Sequence, residues 1–116
     1  GTTVQILLMN WWDPMSSNLI EEIFDTVPFP GWALEHAAVT ETSLMMYFMP
    51  AMAREDKITE RENAVPEICY KYPIDKNSIP SDGCLATAYS STAEKGQKIV
   101  ENVIRNVTDY LKKLDS

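Results

Sequence analysis

The chain has 116 residues, enough for one domain that can bury a core but with little margin for an incomplete sheet. Hydrophobic residues make up 45% and charged residues 23%, which excludes a disordered chain; the longest apolar run, residues 44–49, falls far short of the roughly 20 residues of a membrane span. A net charge of -7 without a basic run excludes nucleic acid as a partner, because phosphate contacts need clustered Lys and Arg.

The sequence opens on Gly1, with no initiator Met, and enters an apolar segment within three residues. That start reads as an internal cut, left by processing, by fragmentation or by a separately made subunit. Residues 3–9, Thr-Val-Gln-Ile-Leu-Leu-Met, are nearly continuously apolar with a β-branched start, the pattern of a strand covered on both faces in a parallel or mixed sheet. Asn10-Trp11-Trp12-Asp13-Pro14 follows as a strand-end loop, the kind of segment that lines ligand crevices in α/β sheets.

Ser16, Ser17 and Asn18 are N-cap candidates, and Glu21 three positions after Asn18 suggests a capping box for a short helix ending near residue 25. Two prolines and a glycine in 27–31 stop it. A helix is expected over about 37–49, closed by Pro50. Residues 53–90, with prolines at 66, 73 and 80, read as a long ordered excursion that packs on a neighbour or covers a site. Ser91 and Glu94 suggest a second capping box, and Ile99, Val100, Val103, Ile104, Val107, Leu111 and Leu114 recur at helical spacing. This order predicts a layered α/β protein in which a single visible strand needs partners from weaker segments or from absent sequence.

Cys69 and Cys84 lack C-x-x-C spacing and read as free thiols of a reducing, cytoplasmic compartment. The sequon Asn106-Val107-Thr108 falls inside the predicted closing helix and carries no argument. Chemistry concentrates in 31–43, where the only histidine lies between two glutamates. On a helix Glu41 shares a face with Ala37, Leu44, Met45 and Phe48, so its carboxylate either finds backbone or lysine donors or serves a site. His36 lies about 140° from Glu41 on a regular helix; the two converge only if His36 occupies an irregular lead-in, which Pro30-Gly31 permits. Histidine suits proton transfer near neutrality, with Glu35 placed to orient it, although a lone histidine also serves as a structural or merely exposed residue. Trp11, Trp12 and Trp32 either stack on a planar ligand or fill the core, and Met45, Met46 and Met49 read as core filling. Neither a serine-nucleophile turn nor a metal-binding helix spacing is present.

Trp32-x-x-Glu35-His36-Ala37-x-x-x-Glu41-Thr42-Ser43-Leu44-Met45 resembles the C-terminal signature of the creatininase (creatinine amidohydrolase) family. Trp11-Trp12-Asp13, Tyr70-x-Tyr72-Pro73, Ser81-Asp82-Gly83 and the stretch from Ser91 to Gly96 extend the resemblance over nearly the whole chain. It implies that residues 1–116 are the C-terminal part of one domain, a three-layer αβα sandwich with a mostly parallel sheet, in ring-like hexamers. The activity implied is metal-dependent hydrolysis of a cyclic amide, of the creatinine-to-creatine type, in which a pair of divalent ions, zinc or manganese, activates water. By the same resemblance His36 is the acid/base, Glu41 its catalytic companion that holds substrate or orients the site, Trp32 and Glu35 touch the planar substrate, and Trp12 closes over it.

The family's metal ligands lie in Glu-x-His, Asp and Gly-His-x-Glu motifs that precede this region, and none occurs here. The resemblance therefore implies metal ligands outside this chain, in an N-terminal half or partner chain, and no activity for this polypeptide alone. Two other readings stay open: a related hydrolase of another small amide, and a non-catalytic ligand-binding or scaffold subunit, including a truncated remnant.

Overall fold

The computed structural model describes residues 3–65 and 67–115; Gly1 and Pro66, both used in reading the sequence, lie outside them. Three α-helices carry the fold: α1 (Ser17–Ile23), α2 (Val39–Phe48) and α3 (Ala93–Leu114). Single 3-10 turns at Glu55–Lys57 and Lys76–Ser78 punctuate the long connection between α2 and α3.

The start of α1 is capped by Ser16, whose hydroxyl accepts from the Leu19 N–H at 3.3 Å, rather than by Asn18. The same residue ties α1 to α3. The Ser16 N–H donates to Asn102 Oδ1 at 3.1 Å, Asn102 Nδ2 donates back to Ser16 Oγ at 3.2 Å, and Asn106 Nδ2 donates to the Pro14 carbonyl at 2.7 Å. Asn102 is buried, and these bonds offset the cost of desolvating its amide. Lys98 of α3 adds an ion pair to Glu22 of α1.

The amphipathic pattern of 93–114 forms the predicted helix, but its cap is Thr92, which accepts from the Lys95 N–H at 3.1 Å. Ser91, the expected cap, instead donates to the Ala88 and Val39 carbonyls and so fastens the lead-in of α3 to α2. Met15, Leu19 and Ile23 meet Val39 and Ile99 in the core. Ile23 and Ile99 are fully buried, each contributing on the order of 1.5–3 kcal/mol through area removed from water.

Contact between α2 and α3 depends on closeness rather than on large apolar side chains. The buried face of α2 is Val39, Thr40, Ser43 and Met46, of which two are polar. Gly96 lets the backbones approach: a Cβ there would sit 2.1 Å from the Ser43 carbonyl oxygen. Ser43 Oγ in turn accepts from the Thr92 N–H at 3.2 Å. The stripe expected to be apolar and buried, with Leu44, Met45 and Phe48, is the more open side; Met45, Phe48 and Met49 are exposed, and only Met46 of the methionine group is core.

The expected three-layer αβα sandwich with a mostly parallel sheet is not what the chain forms. Among the described residues there is no strand. Residues 3–9 are exposed outside any regular element, with Val4, Ile6 and Leu8 more than four-fifths open to solvent. A strand is defined by its ladder, and an apolar β-branched run supplies only the propensity; without a neighbour to accept its N–H groups it does not become one.

The excursion over 53–90 returns on itself. The Ala64 N–H donates to the Leu85 carbonyl at 2.7 Å, Arg61 bonds Asp82 and the Cys84 carbonyl, and Leu85 donates to the His36 carbonyl at 3.2 Å. The Ser81-Asp82-Gly83 segment is a turn that Gly83 makes possible at φ 77°. The excursion's base therefore touches the segment where chemistry is concentrated, while Ile68, Tyr70 and Tyr72 beyond it are almost fully exposed.

Candidate active site

Residues 31–38 form an irregular bend leading into α2. Gly31 has φ 90°, and its carbonyl accepts from both the Leu34 and Glu35 N–H groups at 3.1 Å. The His36 N–H donates to the Leu34 carbonyl at 2.8 Å, and Ala37 takes a left-handed conformation with φ 52°. An L-residue pays about 1–2 kcal/mol for that conformation, so α2 cannot begin at residue 37 as the sequence suggested and starts instead at Val39. His36 thus occupies the irregular lead-in that convergence with Glu41 required.

The cap position of α2 is Ala38, which has no side chain able to cap. Two glutamates replace it. Glu35 Oε1 accepts from the Thr40 N–H at 2.6 Å and from the Thr40 hydroxyl at 2.8 Å. Glu41 Oε2 accepts from the Ala37 N–H at 2.6 Å. Of the alternatives for Glu41, the geometry selects backbone amide binding for one oxygen, while its side chain also lines a cavity of about 240 Å³ with Met45, Met46, Met52 and Arg54. His36 is exposed, its ring free of hydrogen bonds to described residues.

Glu35 is only 7% exposed and its Oε2 is buried without a partner among the described residues. Burial, foremost, pushes its carboxyl above the ordinary value of 4.5; the Thr40 amide and hydroxyl oppose that shift, and the charge of Glu41 adds to it. Because the folded chain holds this proton more tightly than the unfolded chain, the contribution to stability is complete below the ordinary value and fades as pH rises through the raised one. Glu35→Gln, neutral throughout, is expected to flatten this dependence: in urea titrations from acid to neutral pH, wild type should lose stability relative to the variant as pH rises. A wild type that gains stability relative to the variant as pH rises would contradict this.

The three tryptophans lie together and half-buried. Trp12 and Trp32 stack at 5.7 Å between centroids and 23° between planes, Trp11 meets both edge-on, and Phe29 meets Trp32 edge-on at 5.0 Å. They also pack against the core cluster, so stacking platform and core filling describe the same residues. A planar ligand held between Trp12 and Trp32 needs carbon contacts of about 3.5–4.0 Å on each face, more than the present spacing allows, so these indoles must part to admit one.

The structure thus places Glu35, His36 and Glu41 along one stretch of chain at the start of α2, and stacks Trp12, from the loop before α1, on Trp32. Glu35, expected at the ligand, is turned inward. Reading the sequence missed Thr40, which holds Glu35, and Leu85, which pins the His36 carbonyl; a Glu and a Thr five apart match no capping signature, and contacts from the excursion leave no periodic trace. Among the described residues no three His, Cys, Asp or Glu side chains converge as a metal-ligand set, and both glutamates of the bend hold backbone amides. These residues do not fit a metal pair.

Residues 5–111 match the family model for Creatininase, creatinine amidohydrolase. Over 108 residues the chain is 26% identical to a curated creatinine amidohydrolase from Pseudomonas putida, an alignment covering 93% of this chain and 42% of the relative. A mutant creatininase solved in complex with creatine is similar at a TM-score of 0.87 and 26% identity, over 94% of this chain and 43% of that one. A mutant creatininase of Zn–Zn type is similar at the same TM-score and identity, over 42% of its length. The chain therefore spans less than half the length of the relatives it matches, yet nearly all of it is matched. The motif around His36, the bend that displays it and the family match over almost the full length agree: this chain belongs to the creatininase family.

Proposed function

We propose that this chain supplies the proton-transfer and substrate-binding part of a metal-dependent hydrolase that opens a cyclic amide, creatinine in the first instance. What carries this reading is the display of His36: a solvent-facing imidazole on a bend braced by Glu35 and Glu41, within a chain matched to creatininases over 5–111. Ring opening adds water to the carbonyl carbon, breaks the C–N bond and delivers a proton to the departing nitrogen. His36 is the donor of that proton, since an imidazole exchanges protons near neutral pH and this ring is not engaged elsewhere. Glu41 holds the His36–Ala37 backbone with one oxygen and presents the other towards substrate. Trp12 and Trp32 part to take the planar ring, and Trp12 closes over it.

A divalent metal pair, zinc or manganese, belongs to the same reading, with its ligands on a completing N-terminal segment or partner chain. The Zn–Zn type of one neighbour and the creatine bound to another support it, as does apolar surface left open at Ile6, Leu8, Ile68 and Tyr70. The completed units assemble further, as hexamers, in the cytoplasm. No helix among the described residues is long and apolar enough to cross a membrane.

Untagged purification from the native source, with intact masses and metal content of the same fraction, tests the composition of this unit. The expected result is a metal-binding sequence, joined to this chain or as a second polypeptide, and about two metals per unit. A chain recovered without that sequence and without metal would favour a non-catalytic binding subunit.

A further inference from the structure

We propose that Glu35 is a positioning residue: its carboxylate acts as a displaced N-cap for α2 and, through the backbone of residues 36–40, fixes the direction in which His36 is presented. The proposal deepens the amidohydrolase reading and rests on it for its kinetic readout.

The first N–H groups of a helix have no partner within the helix, and a Ser, Thr, Asp or Asn at the cap position normally accepts from one of them. Here that position is Ala38, and Glu35, three residues earlier, accepts from the Thr40 N–H in its place. Glu41, at the third helical position, reaches back to the Ala37 N–H, one residue before the N-cap amide that a capping box would bind. The two carboxylates thus close the bend from opposite ends, and His36 and left-handed Ala37 lie between them. Such a conformation for a residue bearing a Cβ persists only where its surroundings impose it. Both backbone groups of His36 are pinned as well, to the Leu34 carbonyl and the Leu85 N–H, which leaves the ring as the only part able to act.

A direct substrate contact by Glu35 fits this geometry poorly. The residue is buried, one oxygen is spent on two Thr40 donors, and the other is closed off from solvent. Its effect on any substrate must pass through the backbone it holds.

The test uses the complete enzyme containing this chain, as wild type and with Glu35→Gln, Glu35→Ala or Thr40→Val. Measurements are kcat and KM for creatinine, hydrogen exchange of the Thr40 amide, and the proton resonances of His36, the only histidine of this chain. Glutamine keeps an acceptor oxygen without the charge, so Glu35→Gln should keep kcat within about threefold and leave Thr40 protected. Glu35→Ala should lower kcat about tenfold or more with KM within about twofold, speed Thr40 exchange, and shift or broaden the His36 signals. The proposal is overturned if Glu35→Gln raises KM as much as Glu35→Ala does, the mark of a charged substrate contact. It is equally overturned if Glu35→Ala leaves kcat, Thr40 exchange and the His36 signals as in wild type.

Should Glu35→Ala fail to fold, Thr40→Val decides. Loss of the hydroxyl bond alone should produce smaller changes of the same kind, and no change would sink the idea. If wild type opens no cyclic amide, the amidohydrolase reading fails, while Thr40 exchange and the His36 resonances still decide whether Glu35 holds the bend.

Discussion

Gly96→Ala is expected to cost about 3 kcal/mol or more and to lower the thermal midpoint by roughly 10–20 °C. The new methyl carbon would lie 2.1 Å from the Ser43 carbonyl oxygen, 2.6 Å from its carbon and 2.9 Å from Tyr47 Cβ. Two of those atoms are backbone, so no side-chain rotation relieves the overlap and the helices must separate. Separation would weaken the Thr92–Ser43 and Ser91–Val39 bonds that hold the lead-in of α3 against α2, and would loosen Val39 and Ile99 in the core. Circular dichroism during heating and urea titration reads both effects. A midpoint within a few degrees of wild type would mean that α2 and α3 do not pack as closely as described.

The second large effect concerns His36. In the completed enzyme, His36→Gln is expected to lower kcat for ring opening by about 10²–10⁴ while leaving KM near its wild-type value, because proton donation to the leaving nitrogen develops only in the transition state. The ring is exposed, so the substitution should leave helical content and melting unchanged. That separates it from Gly96→Ala, which acts through the fold. A loss below about threefold would remove His36 from the chemistry and return it to the role of an exposed surface residue.

How far the sequence disclosed this molecule differs from one element to the next. The closing helix was legible because Ile99, Val103 and their neighbours recur every three to four residues over about four turns, a pattern long enough to outweigh local ambiguity. The cap lies one residue later than the sequence indicates, since Ser is the better cap by type and only the structure assigns the Ser91 hydroxyl to the Val39 and Ala88 carbonyls, leaving Thr92 to cap. The strand over 3–9 failed for a different reason: apolar, β-branched composition is a local property, and pairing is not. α2 was found, but its buried face was not, because two polar residues, Thr40 and Ser43, make the contact with α3 through Gly96.

The bend was legible in part. Pro30-Gly31 announced an irregular lead-in, and the two glutamates flanking a lone histidine marked where to look. What the residues did not disclose is that Ala38 lacks a capping side chain at the position where α2 begins, so that Glu35 and Glu41 take over that work. That division follows from the left-handed turn at Ala37, a conformation that alanine does not advertise.

In the proposed function, this chain contributes the proton donor of a cyclic-amide hydrolase. Its most direct measurement is the conversion of creatinine to creatine by the natively purified, metal-loaded unit containing this chain, beside the same unit with His36→Gln. Turnover is expected from the first, and a loss of about a hundredfold or more in the second at unchanged metal content. An intact, metal-bearing unit that opens no cyclic amide, or one indifferent to the substitution, would contradict it.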